Sequence, residues 1–314
     1  MNSRSAFGQR LTELVAQRRS QLVLGVDPDP SALWPSAAAG ATADGDPAER
    51  AAEAVGRHCR ALIDATAEAC VGVKFQLACF ERLLAPGWRV LVELVAYARE
   101  RGLLVIADGK RGDVPVSAAV YAQALFAPAG APASSEEAAV AGLGVDAATV
   151  NPLLGADSLA PFLAGARAGG GGIFALLRTS NEGARDLQEL RLASGELLWE
   201  RVAALLARLA GEAAPGEGLS DLGAVLGATA PELLERAREL LPNAVFLLPG
   251  VGAQGGSPQR LGGALAALSG DARRASILVA ASRSIAGAWL QRGGEPAQAA
   301  GAAAQELREA LWAL

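Results

Sequence analysis

Only two lysines occur in this chain, against 26 arginines, and both stand where proton chemistry could be done. Lys74 closes the apolar run Val71-Gly72-Val73-Lys74. Lys110 lies in Asp108-Gly109-Lys110-Arg111-Gly112-Asp113, directly after the apolar run 103–107. Arginine keeps its proton and serves for fixed ion pairs, whereas a lysine amine shifts its pKa when desolvated or set among charges. Asp108 and Lys110 are two residues apart, so in extended backbone both side chains share a face; Asp113 follows after a Gly turn. Alternating Asp, Lys and Asp with Lys74 nearby make a network in which each ammonium is fixed before a ligand arrives. The competing reading is a structural cluster of ion pairs.

Something must bring these segments together. Apolar, β-branched runs of strand length recur at 21–27, 71–75, 103–108, 147–151, 172–177, 224–227, 244–248 and 277–281. Helical patterns follow at 49–67, 89–101, 114–126, 158–168, 187–210, 231–240 and 259–268, with a last helix over 305–313. Eight strand-then-helix units predict an α/β fold, a (β/α)8 TIM barrel, with a doubly wound open sheet as the competitor. The expected organisation is one barrel domain over 1–314, with surface insertions at 36–46 and 127–144, both Ala-, Gly- or Pro-rich.

In such a barrel the site forms where the strands end. Here the strand ends carry Asp27, Lys74, Asp108 with Lys110, Asn151, Arg178-Thr179-Ser180-Asn181, Thr229, a Gly-rich run from Pro249 to Gly256, and Ser282-Arg283-Ser284. Together they describe a cup lined by amines, carboxylates, amides and guanidinium groups. Gly250-Val251-Gly252-Ala253-Gln254-Gly255 formally matches a dinucleotide fingerprint, but Asp271 precedes the next strand instead of ending it, and the loop is far from the first unit of the chain. Backbone N–H groups around Gln254 and Gly255 suit a phosphate instead, with Arg283 after the eighth strand adding a charged fork.

Composition narrows the classes. A formal charge of −5 without a Lys/Arg-rich run disfavours nucleic acid and anionic membranes as main partners. No apolar stretch approaches the roughly 20 residues of a membrane span, and residues 1–4 carry no signal-type apolar core, so the cytoplasm is the default expectation. Cys59, Cys70 and Cys79 form no CxxC pair and read as reduced, buried thiols. With the single His58 they have the wrong spacing for zinc, and no metal ligand is expected. Mechanisms that need a catalytic histidine would depend on His58, which reads as a structural or surface residue.

The motif Asp108-Gly109-Lys110-Arg111-Gly112-Asp113 resembles the DxKxxD signature of the orotidine 5′-phosphate decarboxylase family, closest to its longer bacterial subgroup. Supporting matches are Leu24-Gly25-Val26-Asp27-Pro28, Val73-Lys74-Phe75-Gln76, Arg178-Thr179-Ser180-Asn181, the run from Pro249 to Gly256, and Ala281-Ser282-Arg283. The resemblance runs from about Phe7 to Ala288. It implies cofactor-independent decarboxylation of orotidine 5′-monophosphate to uridine 5′-monophosphate, a step of pyrimidine biosynthesis. It further implies Lys110 as the acid that protonates C6, Asp108 beside the substrate carboxylate, and Lys74 completing the network. Asp113 would reach the site of a neighbouring subunit, hence a homodimer. Asp27 and Lys74 would meet ribose hydroxyls, with Ser117 of the second chain assisting. Ser180 would bond the pyrimidine, and Gln254, Gly255 and Arg283 the 5′-phosphate. Ser117 stands where Thr is usual, Pro115 where a small residue is common, and Leu153-Leu154 where an aromatic is frequent.

Two alternatives remain at this level. Related barrels with the same Asp-x-Lys-x-x-Asp pattern are Mg²⁺-dependent sugar-phosphate decarboxylases and aldol-type synthases; Lys74 stands where their acidic metal ligand is expected, which disfavours them. A non-catalytic barrel that binds a nucleotide phosphate would not need two such amines.

Overall fold

The structure, a computed structural model, describes residues 7–39, 46–126, 141–211, 218–228, 230, 232–251, 261–262 and 270–314. Eight parallel strands close into a barrel in chain order: β1 Leu22–Val26, β2 Gly72–Gln76, β3 Leu104–Arg111, β4 Ala147–Val150, β5 Gly172–Arg178, β6 Leu222–Leu226, β7 Phe246–Pro249 and β8 Ile277–Ala281. β8 pairs back onto β1 through Leu22–Val279 and Leu24–Ala281. The helices of eight residues or more are α1 Phe7–Arg18, α2 Pro47–Thr66, α3 Leu84–Glu100, α4 Pro115–Phe126, α5 Ala156–Ala168, α6 Leu198–Ala210, α7 Leu233–Leu240 and α8 Pro296–Trp312. Local chemistry starts several of them. α2, for example, has Pro47 in its first turn and the Asp46 carboxylate capping the Ala48 N–H.

Strand residues alternate between two cores, because successive side chains point to opposite faces. Leu24, Val73, Val105, Ala107, Ala148, Ile173, Leu226, Phe246 and Val279 face outward against the helices. Val23, Leu104, Ile106, Ala147, Phe174, Val225, Leu247, Leu278 and Ala280 fill the barrel interior. Continuing the inward parity of β1, β2 and β3 toward their C-terminal ends gives Asp27, Lys74, Asp108 and Lys110. The same alternation that builds the floor therefore builds the cup above it.

α1 closes the opposite end. Phe7, Leu11 and Val15, at helical spacing, are all buried against the interior core, and Phe7 meets Phe174 edge-on at 6.0 Å between centroids. At about 1.5–3 kcal/mol per fully buried apolar side chain, this plug is a sizeable contribution. No element was expected there.

Three further sequence expectations need correction. The helix expected over 187–210 begins only at Leu198. Before it, the chain turns at Gly195, whose φ of +91° continues no helix, and Arg191 pairs antiparallel with Leu197. The last helix starts at Pro296, not 305, because its Ala-rich first half shows no polar–apolar period yet buries Ala299, Ala300, Ala303 and Ala304. β3 runs three residues past Asp108. The segment expected as a helix at 259–268 lies outside the described residues except at 261–262, as do 40–45 and 127–140 of the two expected insertions. Among the described residues, no helix is long and apolar enough to cross a membrane.

Candidate active site

A cavity of about 490 Å³ opens at the C-terminal ends of the strands, at the mouth of the barrel. Its two sides differ. One carries Asp27, Lys74, Gln76, Asp108, Lys110 and Thr149 from β1 to β4. The other carries Leu176, Val225, Leu247, Val251 and Ala280 from β5 to β8. With Arg283 at the rim, three cationic side chains stand against two carboxylates, a formal excess of one positive charge suited to an anionic ligand.

Asp108 is the hub. Its Oδ2 accepts from Lys74 Nζ at 2.7 Å, and its Oδ1 accepts from Lys110 Nζ at 2.7 Å and from the Thr149 hydroxyl at 2.8 Å. Burial alone would raise the pKa of this carboxyl, but the ammonium groups of Lys74 and then Lys110 outweigh it and hold it down to about 2. Lys74 shows the complementary balance. Burial works against its charge, yet Asp108 and Asp27 (3.8 Å away) overcome it and raise its pKa. The Lys74 side chain is 7% exposed and that of Lys110 is 43% exposed. Lys74 is thus a buried fixed charge in the cavity wall, and Lys110 is the amine that projects further into the cavity.

Lys110 does not sit in regular strand geometry. Its φ is +48°, left-handed for a non-glycine residue, and the β3–β4 register shifts between Ala107 and Arg111. Extended alternation placed its side chain on the correct face, but a bulge completes the approach to Asp108.

Asp27, just past β1, accepts from the Ser282 hydroxyl at 2.7 Å. That contact requires Gly25, because a Cβ there would lie 2.1 Å from Ser282 Oγ. Ser180 and Asn181, after β5, reach the cavity rim. Gly227 lets this loop approach β6, since a Cβ on it would stand 2.7 Å from the Ser180 Cα.

Several expected residues are elsewhere. Arg178 does not line the cup: its guanidinium is buried behind the β5 loop, on Glu189 at 2.8 and 3.0 Å and on the Thr179 carbonyl at 2.9 Å. Asp113 and Ser117, expected to serve a neighbouring subunit's site, do not line this chain's own cavity; the Asp113 carboxylate accepts from the Val114 N–H at 2.8 Å. Gln254, Gly255 and Thr229 lie outside the described residues. Thr149 is a site residue that sequence reasoning missed, whereas Ser282 stood among the expected strand-end residues and Gln76 within a quoted motif, neither with a role of its own. Inward parity on β4 was the one signal for Thr149. His58 is buried, with its Nδ1 accepting the Trp34 N–H at 3.2 Å, far from any catalytic geometry. Among the described residues, no three His, Cys, Asp or Glu side chains are grouped to hold a metal ion.

Comparison with known proteins agrees with this geometry. Residues 20–300 match the model of the orotidine 5′-phosphate decarboxylase / HUMPS family. An orotidine 5′-phosphate decarboxylase from Haloarcula marismortui is 42% identical over 253 residues, covering 81% of this chain and 79% of its own. One from Deinococcus radiodurans is 38% identical over 306 residues, covering 97% and 98%. The solved structure of the Leishmania donovani OMP decarboxylase superposes with a TM-score of 0.71 at 30% identity, over 98% of both chains.

Proposed function

The chain belongs to the orotidine 5′-phosphate decarboxylase / HUMPS family, and from that premise we propose how its barrel mouth does the family's chemistry. The reaction is the decarboxylation of orotidine 5′-monophosphate to uridine 5′-monophosphate, a lyase step of pyrimidine biosynthesis. In our reading it proceeds without a cofactor, and Lys110 is the proton donor. The C6–carboxylate bond breaks, its electron pair stays on C6, carbon dioxide leaves, and a proton passes from Lys110 Nζ to C6. Water then returns a proton to the amine.

The observation that carries this reading is the pair of lysines on one carboxylate. Both line the cavity 2.7 Å from Asp108, but the Lys74 side chain is 7% exposed and that of Lys110 is 43% exposed, so Lys110 is the amine that projects into the cavity. An ammonium already in place can stabilise a carbanion without reorganisation. Asp108, ionised and close to the substrate carboxylate, adds repulsion. At about 4 Å and an effective dielectric of about 20 this is roughly 4 kcal/mol, short of the roughly 8–23 kcal/mol that enzymes supply. Lys110 and the binding energy of the remote phosphate must provide the rest. The apolar side of the cavity suits the pyrimidine ring, with Ser180 at its edge. In this reading Asp27 and Lys74, which line the cavity, meet the ribose hydroxyls, and Arg283 at its rim meets the 5′-phosphate; Gln254 and Gly255 are assigned to the phosphate on the sequence resemblance alone.

We also propose a homodimer in which Asp113 and Ser117 serve the second subunit's site. Supporting it, neither residue lines its own cavity, while Val114, Val116, Val120, Leu153 and Leu154 around them are exposed, Val116 at 80%. We read the chain as one barrel unit carrying insertions at 36–46 and 127–144. We place it in the cytoplasm, a reducing compartment that suits the free cysteines, of which Cys59 and Cys70 are buried as expected and Cys79 is only partly buried. The direct test is to follow pyrimidine absorbance of orotidine 5′-monophosphate with a metal chelator present. Conversion to uridine 5′-monophosphate is expected. No conversion by folded protein, or conversion only after Mg²⁺ is restored, would reject the reading.

A further inference from the structure

We propose that Thr149 is a positioning residue for the decarboxylation: its hydroxyl fixes the Lys110 backbone and the Asp108 carboxylate together, so that the Lys110 ammonium is aimed before substrate binds. This inference rests on the assignment of Lys110 as proton donor.

The local geometry of β3 and β4 creates the need. Between the partners Ala107–Ala148 and Arg111–Val150, three residues on β3 (Asp108, Gly109, Lys110) face one on β4, Thr149. Such a bulge interrupts the ladder and leaves a backbone group without its regular strand partner. The Lys110 N–H takes the Thr149 Oγ1 instead, at 2.9 Å. The same hydroxyl donates to Asp108 Oδ1 at 2.8 Å.

The direction of this relay is fixed. An amide N–H only donates, and the Asp108 carboxylate, ionised beside two ammonium groups, only accepts. The hydroxyl proton must therefore point at Asp108 and its lone pair at Lys110. Thr149 is 2% exposed, so the hydroxyl sits where bulk water has almost no access. The left-handed φ of Lys110, +48°, is the kind of conformation that persists only when its surroundings hold it, and the hydroxyl holds it at the Lys110 N–H. Asp108 Oδ1 is shared between this hydroxyl and Lys110 Nζ, so the relay constrains both ends of the Lys110 side chain. β-Branching adds stiffness, because threonine has few χ1 choices in a strand. Thr149 acts through its neighbours, and no contact with the reacting atoms is needed.

Thr149→Val keeps the shape and removes the relay. For orotidine 5′-monophosphate, kcat should fall about 10- to 100-fold while KM stays within about threefold, the signature of a group that acts in the transition state alone. Thr149→Ser should recover kcat to within about fivefold of the parent, since it restores the hydroxyl but not the stiffness. Thermal unfolding run in parallel reports folding, and Thr149→Ala replaces the valine variant if that does not fold. A kcat within about threefold of the parent, a raised KM at unchanged kcat, or a serine variant no better than valine would overturn the proposal. The parent is measured in the same assay. A parent without turnover refutes the functional reading, whereas an active parent with an unaffected valine variant refutes only the part given to Thr149.

Discussion

Replacing Asp108 by Asn removes one negative charge from between two ammonium groups and leaves Lys74 buried. At 2.7 Å and an effective dielectric of about 20, the lost attraction to Lys74 is about 6 kcal/mol gross. Asp27 at 3.8 Å still offers about 4 kcal/mol on the same scale, less whatever its partly exposed side chain loses to solvent. Breaking a buried pair by removing one partner typically costs about 3–5 kcal/mol net, and Asp108→Asn falls in that class. With an unfolding entropy near 2.1 cal/mol/K per residue over 314 residues, this should lower Tm by about 5–8 °C at pH 7. The pH dependence follows in sign. In the parent, Lys74 has a raised pKa, so its stabilisation is complete below the ordinary 10.5 and is lost only as pH climbs through the higher folded value. In the variant, desolvation dominates and the folded pKa should drop below 10.5. The unfolded chain then binds the extra proton, and stability rises with pH. The deficit should therefore shrink between pH 7 and 9.5. Because Lys74 is buried, about 0.5 M NaCl should change it little. Calorimetry of the ligand-free protein at the two pH values reads all of this. A Tm within about 2 °C of the parent at pH 7, or a deficit that widens with pH, would refute the reasoning.

The same physics predicts an acid-sensitive point away from the site. Burial lowers the His58 pKa from 6.5 to about 4, so the unfolded chain takes up a proton first. Stability should fall by roughly 3 kcal/mol as pH drops from about 6.5 to about 4. His58→Gln should flatten that part of the denaturant-derived stability profile, and an unchanged slope would count against the assignment. Gly25→Ala places a Cβ 2.1 Å from Ser282 Oγ and so breaks the Ser282–Asp27 hydrogen bond. KM for orotidine 5′-monophosphate and the inhibition constant of uridine 5′-monophosphate should both rise about tenfold, with kcat changing less. Parent-like constants would show that Asp27 needs no such support.

Much of the barrel was legible because both of its signals are local. A run such as Leu104–Ala107 is apolar on both faces and then turns polar at Asp108, which marks a buried strand and its open end at once. Asp108, Lys110 and Lys74 stood out by residue type, in a chain that otherwise uses arginine. The features that escaped depend on partners distant in sequence. Thr149 in a strand reads as a β-branched residue until its neighbour bulges. Gly25 and Ser282 are 257 positions apart and make sense only as a pair. Arg178 was placed in the cup because it ends a strand, but its inward turn is captured by Glu189 in the β5–α6 segment. That segment was read as helix because Leu187, Leu190 and the later leucines keep an approximate helical period through Gly195. α1 escaped because three apolar residues on a polar helix announce a surface element, whereas here they plug the barrel floor.

The most direct measurement is the turnover of Lys110→Arg. The substitution keeps a positive charge beside Asp108 but supplies a very poor proton donor. With the fold intact by circular dichroism, and uridine 5′-monophosphate still bound within about tenfold of the parent, kcat for orotidine 5′-monophosphate should fall by at least about 100-fold. Turnover close to that of the parent would contradict proton transfer from Lys110.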